Sequence, residues 1–550
     1  MIACNDLPLS FGESPAFVEY IQTTQNPNFR PVSRQTTSRD MRKVCKKNLA
    51  KIKENFVDCT YSVALTSDIW NGRARQDYIS VVAHFVDETW QLQKRVIGFE
   101  LIDVSHNGLN ISNAINKVVQ DFDLNSIFFA ITMDNASANT NAMNDLTPLF
   151  GHYAAPYLLH QRCACHILNL IAKCALKKVK PHIEVLRNAI TFLGSDNVRL
   201  ANYKKYCIAN GTVARKYSLD MPIRWNSTYM MLKSLIDAQV DFGGFINATY
   251  KYEAITPQTW HICEHLTKFL ELFYDYTITL SGVYYPTSNM MVHVIIDIAT
   301  HLKTYEDDVI LHNAVARMKL KFEKYWKVTP PLYAFAFMLD PRAKTEGFGI
   351  ALSMLTAAST DDTAYEGAYF TDIRDKLCSL FIKYEQRYGA RVQRPPPAPR
   401  SGRGKGLWSK IHGGASTSSS TGRTMPVLAG DGELAKYLNS PILPYEDEIE
   451  GVPFNILKWW EDHKVTFPVL SILARDVLTV PVSSVSSESA FSIAGRIIDD
   501  RRTSLSPDMV KTLMTVKDAE LARRRCQHTA ENKELAAMFF NLAISEEEDQ

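Results

Sequence analysis

The chain has 550 residues, 46% of them hydrophobic and 22% charged, with 61 Lys and Arg against 59 Asp and Glu for a formal net charge of +2. That composition excludes wholesale disorder and a bulk polycation, so any nucleic-acid binding must rest on local basic patches. At roughly 100–200 residues per domain the length predicts about three or four structural units, and no apolar run reaches the ~20 residues of a membrane span.

The N-terminus, MIACNDLPLSFGES, has neither a basic nor an apolar region of the secretory kind, so no leader and no membrane association are expected. The ten cysteines are scattered and form no CxxC, which fits a reducing compartment and offers no paired zinc knuckle. From Arg39 to Lys53 seven cations face the single acid Asp40, while Met41, Cys45, Leu49, Ile52 and Phe56 recur at helical spacing. This predicts an amphipathic helix with one cationic face.

Strands follow. Tyr61–Asp68, Tyr78–Val86 and Leu92–Phe99 are β-branched or aromatic runs separated by turn residues such as Asn71-Gly72. A helix with Ile111, Ile115, Val118, Val119 and Phe122 on one face comes next, then a buried strand over Ile127–Asp134, with Asn135 opening another helix. A meander, a helix and a further strand predict an α/β sheet with an antiparallel edge. Residues 180 to 390 read as helical, whereas 391–423 hold seven Lys and Arg, no acid, a Pro block and Gly/Ser, the composition of a linker. After Glu433 an aromatic-aliphatic stretch leads to Ser486, expected to cap a helix carrying Phe491, Ile493, Ile497 and Ile498. Ser506-Pro507 starts one more helix, and Glu546–Asp549 ends an acidic tail.

Asp68 and Asp134 each close a predicted strand, where α/β sheets gather ligands. Two such carboxylates suit Mg²⁺, which takes one or two protein oxygens and completes its shell with water and phosphate. Spacing alone favours the plainer reading, a turn residue or helix cap.

The order of motifs changes that balance. Ser67-Asp68-Ile69-Trp70, Thr132-Met133-Asp134-Asn135, Arg162-Cys163-Ala164-Cys165-His166, Arg224-Trp225-Asn226-Ser227-Thr228 and Ser486-Ser487-Glu488-Ser489-Ala490-Phe491-Ser492 follow one another along the chain. Together they resemble the hAT superfamily of DNA transposases (the hobo–Activator type), in its RICESLEEPER-like plant branch. The resemblance runs to about residue 525. It implies an RNase H-like mixed sheet interrupted by a large all-helical insertion, with a helical C-terminal dimerisation region. It also implies a catalytic and metal-binding triad of Asp68, Asp134 and Glu488, using Mg²⁺ or Mn²⁺. Cys163 and His166 match the family's CxxH element near the active site, with Trp70 beside it. Arg224 and Trp225 match an RW element in which Arg can hold phosphate and the indole can stack on a base.

The expected organisation is a basic helical segment (1–60), the first part of the core (61–180), the insertion (181–390), a basic linker (391–430), the dimerisation region with the last catalytic helix (431–525) and an acidic tail (526–550). Family members commonly begin with a BED-type zinc finger, and the expectation here is a chain lacking it. DNA affinity would then rest on phosphate contacts by Arg39, Arg42, Lys43, Lys46, Lys47 and the linker. Zinc is not expected: His160, Cys163, Cys165 and His166 are too crowded for four tetrahedral ligands. His261-Ile262-Cys263-Glu264-His265 matches HxxEH on what reads as a buried helix. A homodimer or higher homo-oligomer is expected through Trp459, Trp460, Phe467, Leu470 and Leu473, in a nuclear protein that cleaves and transfers DNA. The alternative is a domesticated, non-catalytic DNA-binding regulator on the same scaffold.

Overall fold

Alternation along the first three strands divides their side chains between two layers. The computed structural model describes residues 1–57, 59–71, 76–222, 224–359, 367–390, 432–444, 448–449, 452–498 and 505–525. The linker, the acidic tail and Gly72 of the expected turn lie outside these residues. β1 (Val63–Asn71), β2 (Asp77–Val86) and β3 (Leu92–Ile102) form an antiparallel meander. β4 (Phe128–Met133) and β5 (His160–Arg162) extend it in parallel on the β1 side, for the order β3-β2-β1-β4-β5. The sequence reading missed β5, which is three residues long and has no β-branched residue to announce it.

Two helices precede the sheet, α1 (Pro15–Thr24) and α2 (Arg34–Phe56), the latter capped by Ser33, whose hydroxyl accepts the Thr36 N–H. α3 (Gly108–Asp121) leads from β3 to β4, and α4 (Ser137–Phe150) with the single turn α5 (Pro156–Leu159) leads from β4 to β5. One face of the sheet, with Val63, Leu65, Ile79, Val81 and Ile97, packs on Ile111, Ile115, Val118 and Val119 of α3 and Leu146 of α4. Gly98 is where α3 comes down on β3, since a Cβ there would stand 2.7 Å from Val118 Cγ2.

From α6 to α16 the described residues are mainly helical, as the periodicity predicts. The helices are α6 (Ala164–Lys178), α7 (Lys180–Gly194), α8 (Asn197–Ala209), α9 (Trp225–Ile236), α10 (Gln239–Thr249) and α11 (Pro257–Leu280). They continue through α12 (Met291–Thr304), α13 (His312–Trp326), α14 (Pro331–Met338), α15 (Lys344–Ala358) and α16 (Ala368–Tyr388). Beyond the linker come α17 (Glu433–Asn439), the short pair β6 (Glu448–Ile449) and β7 (Val452–Pro453), α18 (Ile456–His463), α19 (Pro468–Thr479), α20 (Val485–Ile497) and α21 (Pro507–Arg523).

α20 and α21 bring the chain back to the second face of the sheet. Tyr78, Val82, Val96 and Phe99 pack there against Ala490, Phe491, Ala494 and Ile497 of α20 and Met509, Val510 and Leu513 of α21. The return is fixed one helix earlier by Asp476 of α19, which is fully buried. Its carboxylate accepts the Ser62 N–H at 2.9 Å and the Tyr384 hydroxyl at 2.7 Å, and burial raises its pKa. An acid this deep is tolerated because its oxygens are bonded, and those bonds join α19 and α16 to the residue just before β1.

Two expectations change. α20 begins at Val485 with Ser484 in the cap position, so Ser486 is a buried first-turn residue and not the cap. Trp460, Leu470 and Leu473 are each 0% exposed, with Trp459 and Phe467 packed against the same cluster. Trp460, Leu470 and Leu473 therefore build an intramolecular core, while Trp459 and Phe467 stay partly exposed with their rings packed on Tyr437 of α17.

Candidate active site

Register brings the first two acids together. β1 and β4 are paired in parallel with Thr66 opposite Thr132, and each threonine stands two residues before an aspartate. Side chains two apart on a strand share a face, so Asp68 and Asp134 leave neighbouring strands on the same face at the same end. Asp134 follows the last residue of β4. Asp68 does not close β1, which runs on to Asn71 opposite β2, but the pairing with β4 stops at Thr66.

Asp134 also performs the plainer role, since its Oδ1 accepts the Ala136 N–H at 2.9 Å and Asn139 Nδ2 at 2.6 Å, ordering the entry to α4. Asp68 accepts its neighbour's Ile69 N–H at 2.8 Å. The third acid arrives 354 residues after Asp134, in the first turn of α20, where Glu488 is exposed. That helix is held on the sheet by Phe491, whose ring stacks on Trp70 (centroids 5.9 Å apart, planes at 20°) and lies 6.1 Å from Phe99.

Electrostatics ties the three together. The Asp68 carboxyl is pushed up to about 7, first by burial and then by the negative charges of Glu488 and Asp134, against the stabilising Ile69 N–H. Burial is the larger cause and the two negative charges add to it, so a cation at this strand end would bring the Asp68 pKa down again. Among the described residues no group of three or more His, Cys, Asp or Glu stands close enough to hold one metal ion. Hard carboxylate oxygens on two strands nevertheless suit Mg²⁺ or Mn²⁺, which need only one or two protein carboxylates when water and phosphate fill the shell. Asp68 and Asp134 are the pair placed for that.

The segment before α20 is laced across the site. Thr132 Oγ1 donates to the Pro481 carbonyl at 2.6 Å, and the Ala164 N–H to the Val482 carbonyl at 2.8 Å. Cys163, buried at the start of α6, accepts the Ser484 N–H at 3.3 Å and the His166 N–H at 3.4 Å. Burial pushes its thiol up to about 11, so it serves as a neutral pin between β5, α6 and the approach to α20. His166 lies near enough to Asp134 to feel its charge, and burial lowers its pKa, as does Lys173. Trp70, Cys163 and His166 thus all border the site.

The residues expected to contact DNA separate. Arg39, Arg42, Lys43, Lys46 and Lys47 line the exposed face of α2 while Cys45, Ile52 and Phe56 are buried. Arg42 pairs with Asp508 at 2.9 Å, Arg39 and Lys43 approach Asp40 at 3.5 and 3.8 Å, and Lys46 and Lys47 have no ion pair among the described residues. Arg224 is exposed, but Trp225 is only 2% exposed, inside the helical core beside Tyr229. That corrects the sequence reading: an indole so enclosed offers no face to a base. In the HxxEH stretch Glu264 pairs with Lys268 at 3.0 Å and His265 Nε2 lies 2.8 Å from Asp308, so both are engaged away from each other. No helix among the described residues is long and apolar enough to cross a membrane.

What sequence reasoning missed is the support: Thr66, Thr132, Ser487, Ser489 and Lys94. The signal was available as Thr-x-Asp, repeated at Thr66-Ser67-Asp68 and Thr132-Met133-Asp134.

Comparison with known proteins matches four stretches of the chain. Residues 433–519 match the hAT family C-terminal dimerisation region and 289–384 the hAT-like transposase, RNase-H fold. Residues 66–154 match the ZBED1 RNase-like domain and 161–269 the ZBED1 RNase-like helical domain. A putative AC transposase of Zea mays is 29% identical over 95% of this chain, which spans 65% of that protein's length. Zinc finger BED domain-containing protein RICESLEEPER 2 of Oryza sativa subsp. japonica is 27% identical, over 94% of this chain and 73% of its own. DAYSLEEPER of Arabidopsis thaliana is 24% identical, over 94% and 72%.

Proposed function

We propose that this chain, which is a hAT transposase or a protein derived from one and carries a dimerisation region, binds DNA and cleaves and transfers its strands through Asp68, Asp134 and Glu488. The observation that carries this reading is the β1–β4 register, which sets Asp68 and Asp134 at the same end of neighbouring strands, where the Asp68 carboxyl is raised to about 7 first by burial and then by the charges of Glu488 and Asp134. Burying a carboxyl beside two other negative charges costs stability, and a bound cation would offset that cost. A bound Mg²⁺ or Mn²⁺ would activate the attacking oxygen and stabilise the leaving oxygen of the phosphodiester.

The chain's own residues then divide the work. Asp68 and Asp134 hold charge at a fixed place because β1 and β4 are hydrogen-bonded in register. Glu488 adds a third carboxylate from α20. Arg39, Arg42, Lys43, Lys46, Lys47 and Arg224 hold the DNA backbone, so affinity falls steeply with salt. Two copies act together through the C-terminal region, and the protein works in the nucleus, where its substrate is. The test is nicking of a supercoiled plasmid carrying inverted-repeat ends: activity that needs Mg²⁺ or Mn²⁺ and disappears in Asp68→Asn, Asp134→Asn and Glu488→Gln supports the reading. Activity indifferent to all three substitutions refutes it.

One observation favours the second reading, a DNA-binding regulator without cleavage. Among the described residues the acids do not converge into a three-ligand group, and Glu488 is exposed. DNA binding with no nicking under any divalent cation would select it.

A further inference from the structure

A helix usually lies on a sheet through apolar side chains, and α20 does so from its second turn on, through Ala490, Phe491, Ala494 and Ile497. Its first turn is different. Ser486, Ser487 and Ser489 are 7%, 0% and 6% exposed, while Glu488 between them faces outward. The Ser487 hydroxyl donates to Thr66 Oγ1 on β1 at 2.9 Å, and the Ser80 hydroxyl on β2 reaches the Ser487 carbonyl at 3.4 Å. On the other side Lys94 of β3, itself 2% exposed, directs its ammonium to Ser489 Oγ at 3.5 Å. Three strands therefore grip the two residues that flank Glu488.

We propose that Thr66 and Lys94 are positioning residues for Glu488, strapping the first turn of α20 to β1 and β3 through Ser487 and Ser489. Burying hydroxyls and an ammonium is a poor way to gain stability compared with burying methyl groups. What such bonds supply is direction. Apolar packing tolerates a small slide or rotation of a helix, whereas a slip of one residue turns it by roughly 100° and would carry Glu488 away from the strand-end acids. Thr66 is suited to set this distance because it stands two residues before Asp68 on the same strand face, so one side chain indexes both Asp68 and the helix. Neither Thr66 nor Lys94 is assigned any contact with DNA or metal.

The inference rests on the reading of Glu488 as the third acid, and the experiment separates the two. Mn²⁺ binding, followed by electron paramagnetic resonance, and Mn²⁺-dependent plasmid nicking are measured for the full chain and for Glu488→Gln, Thr66→Val, Thr66→Ser and Ser489→Ala. Thr66→Val keeps the shape and removes the hydroxyl; Thr66→Ser restores it; Ser489→Ala removes a single oxygen, so loss of folding is a small risk. Supporting residues of this kind change metal affinity or turnover by about 10–100-fold. The expected result is weaker Mn²⁺ binding in Glu488→Gln, Thr66→Val and Ser489→Ala, with Thr66→Ser near the parent, lower kcat and unchanged affinity for plasmid DNA. If Glu488→Gln weakens Mn²⁺ binding while Thr66→Val and Ser489→Ala do not, the positioning inference is overturned and the triad stands. If Glu488→Gln binds Mn²⁺ as the parent does, the triad itself falls, and the inference with it.

Discussion

The strand side and the helix side of the candidate site are built by different means. Asp68 stands on β1 and Asp134 just past the end of β4, each two residues beyond the last paired threonines, so the backbone pairing largely sets their spacing. Glu488 arrives on α20, after the whole helical insertion, and no strand pairing places it, the one backbone tie on the approach among the described residues being the Ala164 N–H to the Val482 carbonyl. Its position depends on side chains: Phe491 stacked on Trp70, Ser487 on Thr66 and Ser489 on Lys94. A carboxylate on a paired strand inherits its geometry from the ladder; one on a returning helix must have its geometry supplied residue by residue.

The largest effect should come from detaching the helix side. Phe491 is 6% exposed between Trp70 and Phe99, and Phe491→Ala should cost about 3–5 kcal/mol in urea unfolding while leaving the meander's strand content intact by circular dichroism. A loss near zero would mean that α20 does not depend on that ring, and the contrast would collapse.

Next comes the charge that both sides share. Because the folded Asp68 pKa lies above its ordinary value, at about 7, protonated Asp68 favours the fold. That contribution is complete at acid pH, declines as pH rises through the interval up to about 7, and is gone above it. Asp68→Asn should therefore be more stable than the parent above pH 7 by roughly 2–4 kcal/mol, the advantage disappearing near pH 4. An advantage that does not change with pH would show that Asp68 senses neither burial nor Glu488. Removing Glu488's charge by Glu488→Gln should shrink the pH dependence without abolishing it, since burial is the larger cause.

Smaller effects belong to α2, where exposed cations replace buried bonds. Replacing Lys46 and Lys47 together by Ala should lower the slope of log affinity against log salt by about two while folding is unchanged. Breaking the exposed Arg42–Asp508 pair with Asp508→Asn should alter stability by less than about 1 kcal/mol. A larger change would move α2 from a solvated face to a structural strut.

Periodicity carried most of the fold. The alternating runs before Val86 and Phe99 gave the meander, and helical spacing gave α3 and the insertion, because both depend on local pattern. β5 escaped, being three residues whose strand character comes from the neighbouring β4 and not from their own side chains. In the site, the acids were readable only from the order of five motifs, since an aspartate at a strand end is ordinarily a cap, as Asp134 also is. Two local readings failed for one reason. Trp225 and Trp460 look like exposed anchors in sequence, but exposure depends on which other helices arrive, and the sequence around each does not contain that. Lys94 and the bond that Thr66 makes were not legible for the converse reason, since their partners lie 395 and 421 residues away, even though the repeated Thr-x-Asp marked Thr66 itself.

The most direct test is calorimetric unfolding of the full chain with and without Mg²⁺, at about pH 8 and about pH 5, on either side of the Asp68 transition. If acids from both sides form one cation site, Mg²⁺ raises the unfolding temperature near pH 8, does so much less near pH 5, and loses the effect in both Asp68→Asn and Glu488→Gln. A Mg²⁺ effect that survives Glu488→Gln unchanged at the higher pH would contradict the account, leaving a cation site made by the strands alone and a helix that does not belong to it.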